Sequence, residues 1–150
     1  MAVSQILSNL WLGDIRIAKN KLFFNENNIN IVINCSKDIP FYSNYTENIR
    51  ISVDDSLEDK DINLLYEYIP KAVEYINNNI IESKNILVHC YAGKQRSASI
   101  VVAYLMKYGN MNLKDSILAI CSKREIAFTP GINFKKTLIK YEKSLKEGVR

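Results

Sequence analysis

His89-Cys90-Tyr91-Ala92-Gly93-Lys94-Gln95-Arg96-Ser97 is the stretch from which the rest of the chain can be read. A cysteine and an arginine enclose five residues, with a glycine inside, a histidine before and a hydroxyl after. Ahead of it, Ile86-Leu87-Val88 is a short apolar run suited to a buried strand; behind it, Ala98 to Tyr108 carries helical spacing. Strand, tight loop and helix start form a setting that can hold an anion against a nucleophilic sulfur.

Each residue type has a chemical task in such a loop. A cysteine attacks as the thiolate, which nearby positive charge or a helix N-terminus stabilises. The backbone N–H groups of Tyr91, Ala92, Gly93, Lys94, Gln95 and Arg96 are placed to converge on one centre and form a nest for a dianion. Gly93 permits a backbone conformation that a side chain disfavours. Arg96 offers a planar two-pronged donor matched to two phosphoryl oxygens. Sulfur attack would give a covalent cysteinyl-phosphate and split one hard displacement into two easier ones. Ser97 is placed to hydrogen-bond the departing sulfur in the second step, and His89 to orient the loop rather than to act as a base.

This loop resembles the signature of the cysteine-dependent protein tyrosine phosphatase superfamily, and the chain as a whole resembles its compact dual-specificity phosphatases. Gln5 to Gly13 is similar to that family's opening strand, and Phe134 to Glu142 to its final helix. Ile29 to Ser36 resembles the strand whose asparagine, here Asn34, supports the phosphate loop. The resemblance also implies an aspartate that protonates the leaving oxygen, on a loop some thirty-odd residues before the cysteine. Ile51-Ser52-Val53-Asp54-Asp55 fits that place. Strand alternation favours Asp55, with Asp54 as the rival, and the role needs a carboxyl that arrives protonated, which a neighbouring dianion favours. Some relatives protect the nucleophile by a reversible disulfide, and Cys35 stands where such a redox partner would be. Cys121 reads as an ordinary small apolar residue.

No linker, repeat or second domain interrupts residues 1–150. Strand-like runs occupy Leu10 to Leu12, Ile29 to Cys35, Ile49 to Val53 and Ile86 to His89. Helical spacing marks Ile62 to Ile81, Ser97 to Tyr108 with Gly109 as its cap, Leu113 to Ser122, and Phe134 to Lys146. Strands alternating with helices predict an α/β fold. With the resemblance they imply one small domain whose central mixed, mostly parallel sheet of four to five strands is flanked by helices. Sites in such sheets lie beyond the carboxyl ends of the strands, where the nonapeptide falls.

Composition agrees and excludes several classes. At 150 residues the chain is long enough for one real core. No apolar run reaches the length of a membrane span, and the N-terminus carries no signal pattern. Three cysteines argue against a disulfide framework, so a reducing, cytoplasmic setting is expected. The single histidine already belongs to the loop; no metal site and no cofactor are expected. A monomer is expected as well. The formal charge of +4 resides in residues 135–150, where Lys135, Lys136, Lys140, Lys143, Lys146 and Arg150 face Glu142 and Glu147. That segment could meet nucleic acid or an anionic lipid surface. A solvated outer face is the simpler reading.

The substrates implied by the resemblance are phosphorylated proteins. A chain this short lacks the segments with which larger tyrosine-specific relatives deepen the pocket, so phosphotyrosine and phosphoserine or phosphothreonine all come into consideration. Lys94-Gln95 departs from the commoner small apolar residue and serine, and Gly131 stands where the family often has asparagine. The charge of Lys94 keeps phosphoinositides as an alternative, although Tyr91 replaces the second basic residue of those lipid enzymes. RNA 5′ phosphates are a further alternative with the same mechanism. A catalytically inactive phosphoprotein-binding relative is disfavoured by the presence of Cys90, Arg96, Ser97 and a candidate acid. Sulfurtransferase and arsenate reductase loops are disfavoured by the position of Cys90 well after Asp55.

Overall fold

The computed structural model describes residues 1–148; Arg150, counted in the basic segment above, lies outside them. The chain opens with a hairpin of β1 (Val3–Leu7) and β2 (Leu10–Gly13). Two short helices follow, α1 (Ile15–Ala18) and α2 (Lys21–Glu26), then β3 (Ile29–Asn34) and β4 (Glu47–Arg50). The long helix α3 (Asp59–Ile81) leads to β5 (Asn85–His89), and α4 (Arg96–Tyr108), α5 (Leu113–Lys123) and α6 (Lys135–Lys146) complete the fold. The five strands lie in the order β1-β2-β5-β3-β4, antiparallel only between β1 and β2. The expected α/β class and mostly parallel sheet are therefore present.

The sheet is covered on both faces, as parallel strands require. Alternation along β5 sends Ile86 and Val88 toward the larger core with α3, α4 and α6, and Leu87 toward Trp11, Ile17, Phe24, Ile29 and Val32 on the other side. On β3 a register shift between Ile29 and Ile31 lets Ile29 and Val32 share a face. The stripe on α3 is Leu65, Ile69, Val73 and Ile76, each fully buried, with Ala72 at its margin. Asp59 and Asp61 in its first turn favour the positive end of the helix. Helix α4 lies in the middle of the larger core and is buried from Ser97 through Met106. A helix buried on all sides in this way is held by packing rather than by propensity.

Several boundaries differ from the sequence expectation, each for a local reason. The opening segment is a hairpin rather than one strand. The strand expected over Ile49 to Val53 is Glu47–Arg50 instead. Its partner β3 ends at Asn34, opposite Arg50, so no ladder remains for the residues that follow. Ile51 and Val53 stay buried nonetheless, as core residues on an irregular segment. Helices α1 and α2 were not expected, although both have capping side chains. Asp14 Oδ1 accepts from the Arg16 amide at 2.8 Å, and Asn20 Oδ1 from the Phe23 amide at 3.0 Å. Gly109 does end α4, but with φ of −86°; the left-handed residue is Asn110, at φ 57°. Among the described residues no helix is long and apolar enough to cross a membrane.

The one histidine ends the central strand with its ring buried. Burial, aided by the nearby Arg50 and Arg96 cations, pushes its pKa down to about 4 from 6.5, against a contrary pull from the Cys90 carbonyl and Asp14. The unfolded chain therefore takes up this proton first as pH falls. The stability contribution is complete above about 6.5 and is lost as pH drops toward 4. Unfolding free energies from denaturant titrations across that window are expected to fall by up to about 3 kcal/mol on account of this residue. His89→Gln should flatten that part of the profile; a profile of unchanged steepness would assign the acid sensitivity to other groups.

Candidate active site

The loop from Cys90 to Gln95 leaves the carboxyl end of β5 and runs into α4 at Arg96. Cys90 is nearly enclosed, 2% exposed, with its Sγ 3.0 Å from the fully buried Ser97 Oγ. Ser97 belongs to the first turn of α4, so the sulfur faces the positive end of a helix of 13 residues.

The loop's carbonyls are bonded from outside it. Tyr91 O accepts from the Ile15 amide at 3.0 Å, and Lys94 O from the Phe128 amide at 2.9 Å. Ala92 O and Gly93 O accept from Arg124, at 3.4 Å to Nη2 and 2.8 Å to Nε. Gln95 O accepts from the Ser99 amide at 2.9 Å and from Ser99 Oγ at 2.7 Å. In a trans peptide the N–H points opposite to the C=O. Tying back these five carbonyls therefore turns the N–H groups of residues 92–96 to the other side, the arrangement of an anion nest. Gly93 is required twice over. Its φ is +65°, and an added Cβ would lie 2.6 Å from Gly13 O and 2.7 Å from Arg124 Nη2.

Arg96 Nη1 donates to Val53 O at 3.1 Å, which docks the irregular 51–56 segment against the loop. Its buried Nε has no acceptor among the described residues. A buried donor of this kind is costly to leave unpaired and marks where an anionic acceptor fits. The two candidate acids part company on that segment. Asp54 pairs with Lys37 at 3.1 Å, whereas Asp55 Oδ1 accepts from Asn133 Nδ2 at 2.9 Å.

The supporting residues are placed differently from one another. His89 Nδ1 approaches Cys90 O at 3.4 Å, a weak contact that nevertheless faces the loop. Asn34, expected to support the phosphate loop, directs its hydrogen bonds elsewhere. Its Nδ2 donates to Ile39 O at 2.7 Å and its Oδ1 accepts from Ser36 Oγ at 2.6 Å. The support it gives acts on the turn after β3, which Arg50 also binds through Ser36 O and Ile39 O. Cys35 follows Asn34 as Cys90 follows its register partner His89, and the Cys35 amide donates to His89 O at 2.7 Å. Burial, and then the nearby Cys90, push the Cys35 thiol well up. Cys121, half-buried on α5, plays no part here.

Sequence reasoning missed Arg124. It sits among polar and charged neighbours, Ser122-Lys123-Arg124-Glu125, yet it is fully buried. Besides the two loop carbonyls, its Nη1 donates to Met1 O at 3.2 Å and to Ser4 Oγ at 3.1 Å. Burial lowers its pKa, but a guanidinium starts high enough to stay charged. Nothing in the local sequence distinguishes it from its charged neighbours. Among the described residues, no group of acidic, cysteine and histidine side chains could hold a metal ion.

Similarity to known proteins agrees with this geometry. Residues 10–144 match the family model for the dual specificity phosphatase catalytic domain. Mus musculus dual specificity protein phosphatase 8 is 32% identical over 148 residues, covering 97% of this chain and 22% of that protein. The chain thus spans under a quarter of that relative's length. Homo sapiens dual specificity protein phosphatase 21 is 32% identical over 140 residues, covering 93% of this chain and 71% of the relative. The crystal structure of human DUSP28 shares the fold, with a TM-score of 0.87 at 24% identity over 97% of this chain and 96% of that one. With the catalytic-domain match extending across nearly all of it, the chain belongs to the dual specificity phosphatase family.

Proposed function

We propose that the chain is a metal-independent protein phosphatase that hydrolyses phosphotyrosine and phosphoserine or phosphothreonine through a cysteinyl-phosphate on Cys90. The observation that carries this reading is the position of Cys90 Sγ, 3.0 Å from Ser97 Oγ at the head of α4 and at the base of the loop whose carbonyls are tied back. Phosphoryl oxygens would take the N–H groups of the loop and the free Nε of Arg96, with the guanidinium bridging two of them.

The thiolate attacks phosphorus while the phosphorus–oxygen bond to the substrate breaks. Asp55 gives its proton to the departing oxygen. Asp55, now a carboxylate, then takes a proton from water as that water attacks the cysteinyl-phosphate. Phosphate leaves, and Ser97 hydrogen-bonds the sulfur as it becomes a thiolate again. Asp54 is not given the proton transfer, because its carboxylate is committed to Lys37.

Cys35 completes the reading as a redox partner. Support comes from the register: Asn34 and His89 are paired at the ends of adjacent parallel strands, Cys35 and Cys90 are the next residues of each, and inter-strand spacing is compatible with a disulfide. A peroxide would oxidise the Cys90 thiolate to the sulfenic acid. Sulfur of Cys35 would then displace its oxygen as water and close the bond.

Phosphate release from phosphotyrosine and phosphothreonine peptides, measured with chelator present, is expected for the native chain and to fall on the order of 10⁴-fold or more in Cys90→Ser. Preference for a phosphoinositide or a 5′-triphosphate RNA would move the substrate class and keep the mechanism; no release from any of them would refute it. Asp55→Asn should slow turnover of an alkyl phosphate by about 10²–10⁴-fold, with Asp54→Asn nearly neutral. The reverse ranking would transfer the acid role to Asp54. Peptide mapping after peroxide treatment should find a Cys35–Cys90 disulfide, and Cys90 passing directly to sulfinic acid would eliminate that part.

A further inference from the structure

Gln95 departs from the family's common serine, and its side chain does something a serine could not reach. It is 4% exposed and points away from the nest, into the 129–133 segment between α5 and α6. Nε2 donates to Gly131 O at 2.7 Å and to Thr129 O at 3.4 Å, while Oε1 accepts from the Asn133 amide at 3.0 Å. Donor and acceptor ends of one buried amide thus grip the segment from both sides, and the fully buried Phe134 anchors the next residue. Asn133, fixed in this way, extends Nδ2 to Asp55 Oδ1 at 2.9 Å. A continuous path therefore runs from the phosphate loop through Gln95 and Asn133 to the carboxyl group of the acid.

We propose that Asn133, held by Gln95, is the positioning residue that selects which oxygen of Asp55 delivers the proton. The inference rests on the assignment of Asp55 as the acid. A protonated carboxyl oxygen is a poor acceptor, so an N–H bonded to Oδ1 leaves the proton to Oδ2. The orientation matters because Asp55 is itself exposed, on an irregular segment beyond the end of β4 where no ladder restrains it. Arg96 fixes the backbone of that segment at Val53, two residues short of the carboxyl. Asn133 fixes the carboxyl itself. Consecutive residues of one loop, Gln95 and Arg96, thereby set the acid's position relative to the phosphate that the same loop binds, and proton transfer is sensitive to such placement.

The test compares two substrates within each variant: an alkyl phosphate, whose alkoxide needs the proton, and p-nitrophenyl phosphate, whose leaving group hardly does. Asn133→Ala is expected to lower kcat on the alkyl phosphate about 10-fold more than on p-nitrophenyl phosphate. Gln95→Met, which keeps the bulk and loses the three bonds, should skew the ratio in the same direction. Because the ratio is internal to each preparation, loss of folded protein cancels from it. In Asp55→Asn, adding Asn133→Ala should change the ratio no further. Equal losses on both substrates in Asn133→Ala, with Asp55→Asn still selective for the alkyl phosphate, would overturn the positioning role and leave the acid standing. An Asp55→Asn enzyme without that selectivity would overturn the acid assignment, and this proposal with it.

Discussion

The site depends on the outward orientation of the loop's carbonyls. An anion nest needs N–H groups pointing at one centre, and an isolated loop has little reason to keep them there, because each peptide can flip its carbonyl inward. Ile15, Arg124, Phe128 and Ser99 prevent this by holding those carbonyls from four separate parts of the chain. The N-terminal helix pair, the end of α5 and the segment after it are packed around the loop with that result. The preorganisation is set during folding, so a substrate does not have to supply it.

Arg124 shows how such an arrangement is sustained energetically. Arg124, with 0% exposure, loses its water, and among the described residues the carbonyls of Met1, Ala92 and Gly93 with the Ser4 hydroxyl replace it. Buried charges survive where geometry satisfies nearly all their donors, and removal of such a partner typically costs about 3–5 kcal/mol. Four acceptors on two distant stretches of chain meet that condition. The cation lies behind the loop, where its charge adds to the field of the α4 N-terminus. Gly93 is in contact with it, so the glycine and the arginine are matched to each other.

Much of this was legible in the sequence because it resides in short local patterns. The strand–loop–helix around residues 86–108 and the stripe of Leu65, Ile69, Val73 and Ile76 follow from periodicity and spacing. What was not legible depends on partners far apart in the chain. The end of β4 at Arg50 is set by where β3 stops, and α1 and α2 are too short for a hydrophobic period to register. Asn34 carries the expected residue type with different bonds, since the turn at Ser36 and Ile39 takes both ends of its amide. Arg124 and Asn133 have roles defined by contacts far along the chain, such as those across 31 residues to Gly93 and 78 to Asp55, and no local pattern encodes those.

The two outer strands of the sheet have a consequence for how the molecule meets its own copies. An open sheet offers unpaired backbone at its margins, which invites another strand to add. At one margin β4 is four residues long, and Glu47, Asn48 and Arg50 lie along it. A strand arriving there would have to pass a carboxylate bonded to Tyr75 and a guanidinium bonded to Ser36 O and Ile39 O, for very few ladder bonds. At the other margin β1 carries a register shift between Gln5 and Leu7, which breaks the regular repeat that a partner would need. Length and charge guard one side and irregularity guards the other. Edge-to-edge growth is thereby discouraged at both margins, and the carboxyl end that carries the loop needs no part in that defence.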